Sequence, residues 1–243
     1  DSAAEIIVGV DAYAIQIFAD FSGYTDIAIG CALLLGVKFP QNFDQPYRAL
    51  SLQDFWRRWH MTLSRWLRDY LYIPLGGNRG TKAFIYRNLV LTMVLGGLWH
   101  GAAMTFVAWG AIHGFGLVIE RELRERYPGR LGRFAPVWQW LIMFHVVCLA
   151  WIFFRAETFG TAWELIWRML TAWDGADALS PLLLLVIAGS IAAQFMPDRL
   201  SGSLRISFSR LAPVAQAATL AIALVAIDVL GPTGVAPFIY FQF

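Results

Sequence analysis

His100 sits in the run Gly96-Gly97-Leu98-Trp99-His100-Gly101-Ala102, near the centre of a long apolar stretch. Polar side chains at such depth are costly and commonly face a cavity or a transport path. An uncharged imidazole there can take a proton from a hydroxyl, and the neighbouring glycines let a substrate come close to the backbone. The competing reading is a structural imidazole bonded to a carbonyl of an adjacent helix. His60 falls one turn after Trp56 and one turn before Ser64. It is a second proton-transfer or substrate-orienting group if the fold brings it to His100, and a residue at headgroup level if not. His113 and His145 read as satisfied structural histidines, since His113 is 13 positions beyond His100 and on a different wall of a continuous helix.

Gln16, Asp20 and Tyr24 recur every four residues and share one helical face. Three polar groups in line suggest a seam toward a tunnel, or equally the hydrogen bonds that hold a bundle together. Trp99 and Gly101, beside His100, are candidates for the same tunnel. Arg57, Arg58, Arg65 and Arg68 could hold the phosphates of an acyl donor through planar forks, or sit among anionic headgroups. No His-x-x-x-His or Cys-x-x-Cys spacing occurs, so no metal site is expected. A Gly-x-Ser-x-Gly elbow, a Walker loop and a dinucleotide fingerprint are absent too, which lowers the case for a serine hydrolase, an ATPase or a Rossmann enzyme.

The elements that must position these groups follow from composition. Of 243 residues 58% are hydrophobic and only 15% are charged, where about 25% charged is usual for a soluble domain. A water-soluble domain, a disordered chain and a nucleic-acid module are excluded; this is an all-α integral membrane protein. The basic set is arginine except for Lys38 and Lys82, and the two cysteines, Cys31 and Cys148, lie inside apolar runs, which argues against a disulfide framework. Candidate transmembrane or re-entrant runs cover 4–37, 89–119, 136–154, 181–196 and 211–230. The first is long enough for two helices, with a break expected at Ser22-Gly23. The second would be about 46 Å as one helix, too long for the roughly 30 Å hydrocarbon core, so a tilt or a fold-back at its glycines is expected.

Segment 38–88 carries nine Lys and Arg, 120–133 five, 155–180 two and 198–210 three. The positive-inside bias puts the richer segments in the cytoplasm, which for 38–88 requires 89–119 to fold back. Within 52–73, Leu52, Phe55, Trp56, Trp59, Leu63, Trp66, Leu67 and Tyr70 recur at three and four, with arginines largely opposite. That pattern predicts one amphipathic interfacial helix with Ser51 as N-cap, ended by Pro74 and Gly76-Gly77. With no initiating Met and an apolar run almost at once, the sequence reads as part of something longer.

Four stretches carry a family resemblance: DFSGYTDIAIG over 20–30, DFWRRWH over 54–60 running into WLRDYLYIPLGGNR over 66–79, LWHGA over 98–102, and WIFFRA over 151–156. Gly231-Pro-Thr-Gly and the tail 237–243 add to it. Together they resemble the C-terminal half of the membrane-bound O-acyltransferases, in the branch that contains the alginate O-acetyltransferase membrane subunit. The resemblance implies that 1–243 is the C-terminal portion of one transmembrane domain, part of a helical ring pierced by a tunnel. It implies His100 as the active-site histidine and His60 as the second functional position. It further implies an O-acetyltransferase of the bacterial inner membrane, multi-pass, that moves acetyl from a cytoplasmic thioester (acetyl-CoA or an acyl-carrier thioester, no bound cofactor) toward an exported, alginate-like polysaccharide. Expected partners are membrane lipids, periplasmic acetyl-relay proteins and an acyl carrier protein. The alternatives are a transporter or export channel with an intramembrane His/Asp proton relay, and D-alanyl transfer to teichoic acid within the same family.

Overall fold

The computed structural model describes residues 2–128, 135–176 and 178–230. Among them every regular element is helical; the resembling tail at 231–243 lies outside the described residues. The chain divides into two compact units, Asp1–Gln194 and Phe195–Phe243.

The first unit opens with α1 (Ala3–Leu34), started by a capping box in which Ser2 and Glu5 exchange side-chain and backbone bonds. This helix runs unbroken through Ser22-Gly23, where two helices were expected. One glycine costs a helix only about 1 kcal/mol against alanine, and the Thr25 hydroxyl donates back to the carbonyls of Phe21 and Ser22 within the same turn. A loop and a 3-10 turn (Pro46–Arg48) then lead to α2 (Leu52–Arg58) and α3 (Met61–Leu67), followed by a π turn, Arg68–Tyr72. The single helix expected over 52–73 is therefore interrupted. His60 has φ 42° and ψ 55°, in the left-handed region, and turns the chain between α2 and α3. The Ser51 cap is present, its hydroxyl accepting from the Asp54 amide. Most of the apolar stripe faces inward, with Phe55 and Trp59 buried against Tyr47 and Trp151, while Trp66 and Tyr70 at its far end are exposed.

The run 89–119 is two helices, α4 (Lys82–His100) and α5 (Met104–Arg126), folded back at 101–103. Their backbones touch. A Cβ on Gly97 would collide with the Phe106 carbonyl, and one on Gly110 with the Met93 carbonyl, so only glycine permits the approach. The open ends are tied by Lys82 to Glu122 and Glu125, at 3.4 and 2.9 Å, and by Tyr86 to Glu122. Next, α6 (Ala135–Arg155) runs antiparallel to α5, pairing Trp109 with Trp151 and Phe106 with Phe154. Tyr47 closes this core: its hydroxyl donates to the Ala14 carbonyl at 2.6 Å and accepts from Trp151 Nε1 at 3.3 Å.

By length and composition α1 and α6 are the helices, among the described residues, that can cross a bilayer alone. The unit ends with α7 (Phe159–Thr171) and α8 (Pro181–Ala193). The 13 residues of α8 reach about 20 Å, short of the crossing expected over 181–196. In the second unit, α9 (Asp198–Ser209) precedes α10 (Pro213–Leu230), and the Gln216 amide donates to the Phe208 and Ser209 carbonyls that end α9 and to the Leu211 carbonyl just beyond it.

Candidate active site

Each of the two leading histidines stands at a turn. His100 is the last residue of α4, before the fold-back, and His60 is the second of the two residues between α2 and α3. Forty positions apart in sequence, they meet the same indole: the Trp99 ring is 5.0 Å from His100 and 6.4 Å from His60. Around His100 the aromatic wall is completed by Trp109 and Phe154, both 5.2 Å away and edge-on. His60 rests edge-on against Phe21 of α1 at 4.8 Å. Gly101 has extended backbone at φ 175°, and a side chain there would collide with the Phe106 ring.

His60 is fixed from one side by Asn42. The Asn42 Oδ1 lies 3.2 Å from His60 Nδ1, and it also accepts from the Thr62 amide and hydroxyl at 3.1 and 2.8 Å. Burial pushes the His60 imidazole down to about 4 from its ordinary 6.5, so it is neutral at pH 7. Asn42 was not among the candidates read from sequence. Its only local signal is an amide in a Pro-Gln-Asn loop, a residue type that bonds nearby backbone.

The other candidates separate. Gln16, Asp20 and Tyr24 lie exposed on one face of α1, next to the buried Phe21. Arg57, Arg65 and Arg68 line a cavity of about 500 Å³ between α2–α3 and α4–α5, whose deeper wall includes Trp56, Leu89 and Met93. Arg58 is instead paired with Asp44 and Asp54, each at 3.0 Å. His113 is fully buried among Phe55, Trp56 and Trp109. Contrary to expectation, neither of its ring nitrogens has a hydrogen-bond partner among the described residues. His145 does behave as a structural histidine, its Nδ1 2.8 Å from the Leu141 carbonyl. Among the described residues no three His, Cys, Asp or Glu side chains gather to hold a metal.

Comparison with known proteins identifies the family. Residues 5–174 match MBOAT, the membrane-bound O-acyltransferase family. A probable alginate O-acetylase AlgI of Azotobacter vinelandii is 52% identical over 167 residues, 69% of this chain and 33% of that protein. A peptidoglycan O-acetyltransferase of Helicobacter pylori is 48% identical over 158 residues, 65% of this chain and 30% of that protein. A teichoic acid D-alanyltransferase of Bacillus subtilis is 31% identical over 160 residues, 60% of this chain and 40% of that protein. The chain spans about a third of the length of the curated alginate and peptidoglycan relatives it matches. With a family match over well more than half its residues and both histidines gathered within it, the chain belongs to the membrane-bound O-acyltransferase family.

Proposed function

We propose that the chain belongs to a membrane O-acetyltransferase that moves acetyl from a cytoplasmic thioester, across the inner membrane, toward the hydroxyls of an exported polysaccharide. The observation that carries this reading is the convergence of His60 and His100 on one indole at the turn of a helical hairpin. In the reaction, His100 takes the proton from the acceptor hydroxyl as its oxygen attacks the thioester carbonyl. The C–S bond then breaks, and the departing thiolate takes that proton back. General-base help of this kind is typically worth about 10²–10⁴-fold. His60 orients a reacting group, and the aromatic walls keep water from the thioester.

The cavity lined by Arg57, Arg65 and Arg68 suits the phosphates of acetyl-CoA or of an acyl carrier's arm. An alginate-like acceptor, reached through periplasmic acetyl-relay proteins, is favoured over D-alanyl transfer by the nearer likeness to O-acetylating relatives. The protein would sit in the inner membrane as a multi-pass protein surrounded by lipid.

His100→Ala tests this in membranes given labelled acetyl thioester. The expected result is normal amounts of inserted protein and loss of label transfer by about a hundredfold or more. Undiminished transfer removes the assignment. Movement of substrate without consumption of thioester would favour a transporter instead.

A further inference from the structure

We infer that Asn42 is a positioning residue for the transfer reaction, holding His60 in the tautomer with hydrogen on Nδ1 and the lone pair on Nε2. The inference rests on the acyl-transfer reading above and extends it to a residue that does not touch the reacting atoms.

The hydrogen-bond network decides the protons. Asn42 is buried, 6% exposed, in the loop that follows α1. Its side-chain atom facing Thr62 receives a backbone N–H at 3.1 Å. A backbone amide can only donate, so that atom is the carbonyl oxygen and not the amide nitrogen. The Thr62 hydroxyl donates to the same oxygen at 2.8 Å. His60 Nδ1 lies 3.2 Å from this oxygen and 3.4 Å from Thr62 Oγ1. Two lone pairs facing each other at such a distance repel, whereas an Nδ1–H donates to the nearer acceptor, the Asn42 oxygen. In a neutral imidazole the other nitrogen is then an acceptor.

Asn42 also governs where the ring stands. Its main-chain carbonyl accepts from the Met61 amide at 2.9 Å, so one residue binds both amides that follow His60. A left-handed conformation at a residue other than glycine is strained and persists where its surroundings over-determine it. Here Asn42 supplies those surroundings.

The consequence is chemical. On its free edge His60 presents an acceptor and no donor. It can hold the O–H of a hydroxyl that neighbours the reacting one, whose own proton goes to His100, but it cannot hydrogen-bond the carbonyl oxygen of a thioester. His60 therefore orients the acceptor, and the donor's carbonyl is left to other groups.

The test uses the full-length protein in membranes with ¹⁵N-labelled histidine, the His60 signals being those absent from His60→Gln. Solid-state nitrogen spectra of the unsubstituted protein should show His60 protonated on Nδ1; protonation on Nε2 alone overturns the inference even if no Asn42 variant folds. Asn42→Ala should shift the tautomer population and lower kcat by about 10–100-fold, with the KM for the thioester unchanged. Thr62→Val, which removes a hydroxyl from the same cluster but leaves the Asn42–His60 contact, should keep both the tautomer and kcat near those of the unsubstituted protein. Equal damage from Thr62→Val, or a shifted tautomer with unchanged kcat, overturns it. Should the unsubstituted protein transfer no acetyl at all, the functional reading fails, and the spectra still judge the tautomer.

Discussion

At the scale of single residues, His60 ties stability to pH. Its value in the folded protein, about 4, lies below its ordinary 6.5 because it is buried. As pH falls from about 6.5 toward 4 the unfolded chain takes up a proton and the folded chain does not. Stability that His60 leaves intact above pH 6.5 is therefore lost across that window. Melting temperatures in detergent at pH 7 and pH 5 should fall less for His60→Gln than for the unsubstituted protein; equal falls would contradict the burial argument. His100 and His60 were legible in the sequence because an imidazole in an apolar run, or on an arginine-rich stripe, is conspicuous by type alone. Asn42 was not, because its importance arises from contacts with residues 18 to 20 positions away.

Among the elements, glycine has two opposite meanings here, and sequence did not tell them apart. Gly110 meets the Met93 carbonyl across the α4–α5 seam, whereas nothing lies within 4 Å of a Cβ on Gly23. Gly110→Val should lower stability by at least about 1–3 kcal/mol through overpacking, and lower acetyl transfer with it. Gly23→Ala should raise stability by up to about 1 kcal/mol. Thermal unfolding of both variants checks the pair, and a stable Gly110→Val would refute the backbone contact. The apolar period over 52–73 was real, yet it could not reveal the turn at His60. The period simply continues through it, and the left-handed residue is held by a loop outside the pattern. The fold-back of 89–119 was more readable, since its glycines and excess length both pointed to it.

For the whole molecule, the hairpin and α6 define opposite ends. Lys82 and Glu125 join the open end of the hairpin, while His100 at its turn meets Phe154 in the last turn of α6. With α6 crossing the bilayer, residues 82 and 126 should then face one side of the membrane and residue 157 the other. The basic residues concentrate on the first side, which should be cytoplasmic. In spheroplasts, a membrane-impermeant maleimide should label Glu157→Cys and spare Lys82→Cys and Arg126→Cys; the reverse pattern would refute this orientation.

A carboxylate joins the two hairpin-like pieces. Glu120 of α5 accepts from the Leu52 and Gln53 amides, at 2.7 and 3.3 Å, and so caps the start of α2. Since α2 leads directly to His60 and α5 pairs backbone to backbone with the helix that ends in His100, both imidazoles ride on one stiff frame. A bend or tilt of that frame should therefore carry the two rings together rather than pull them apart.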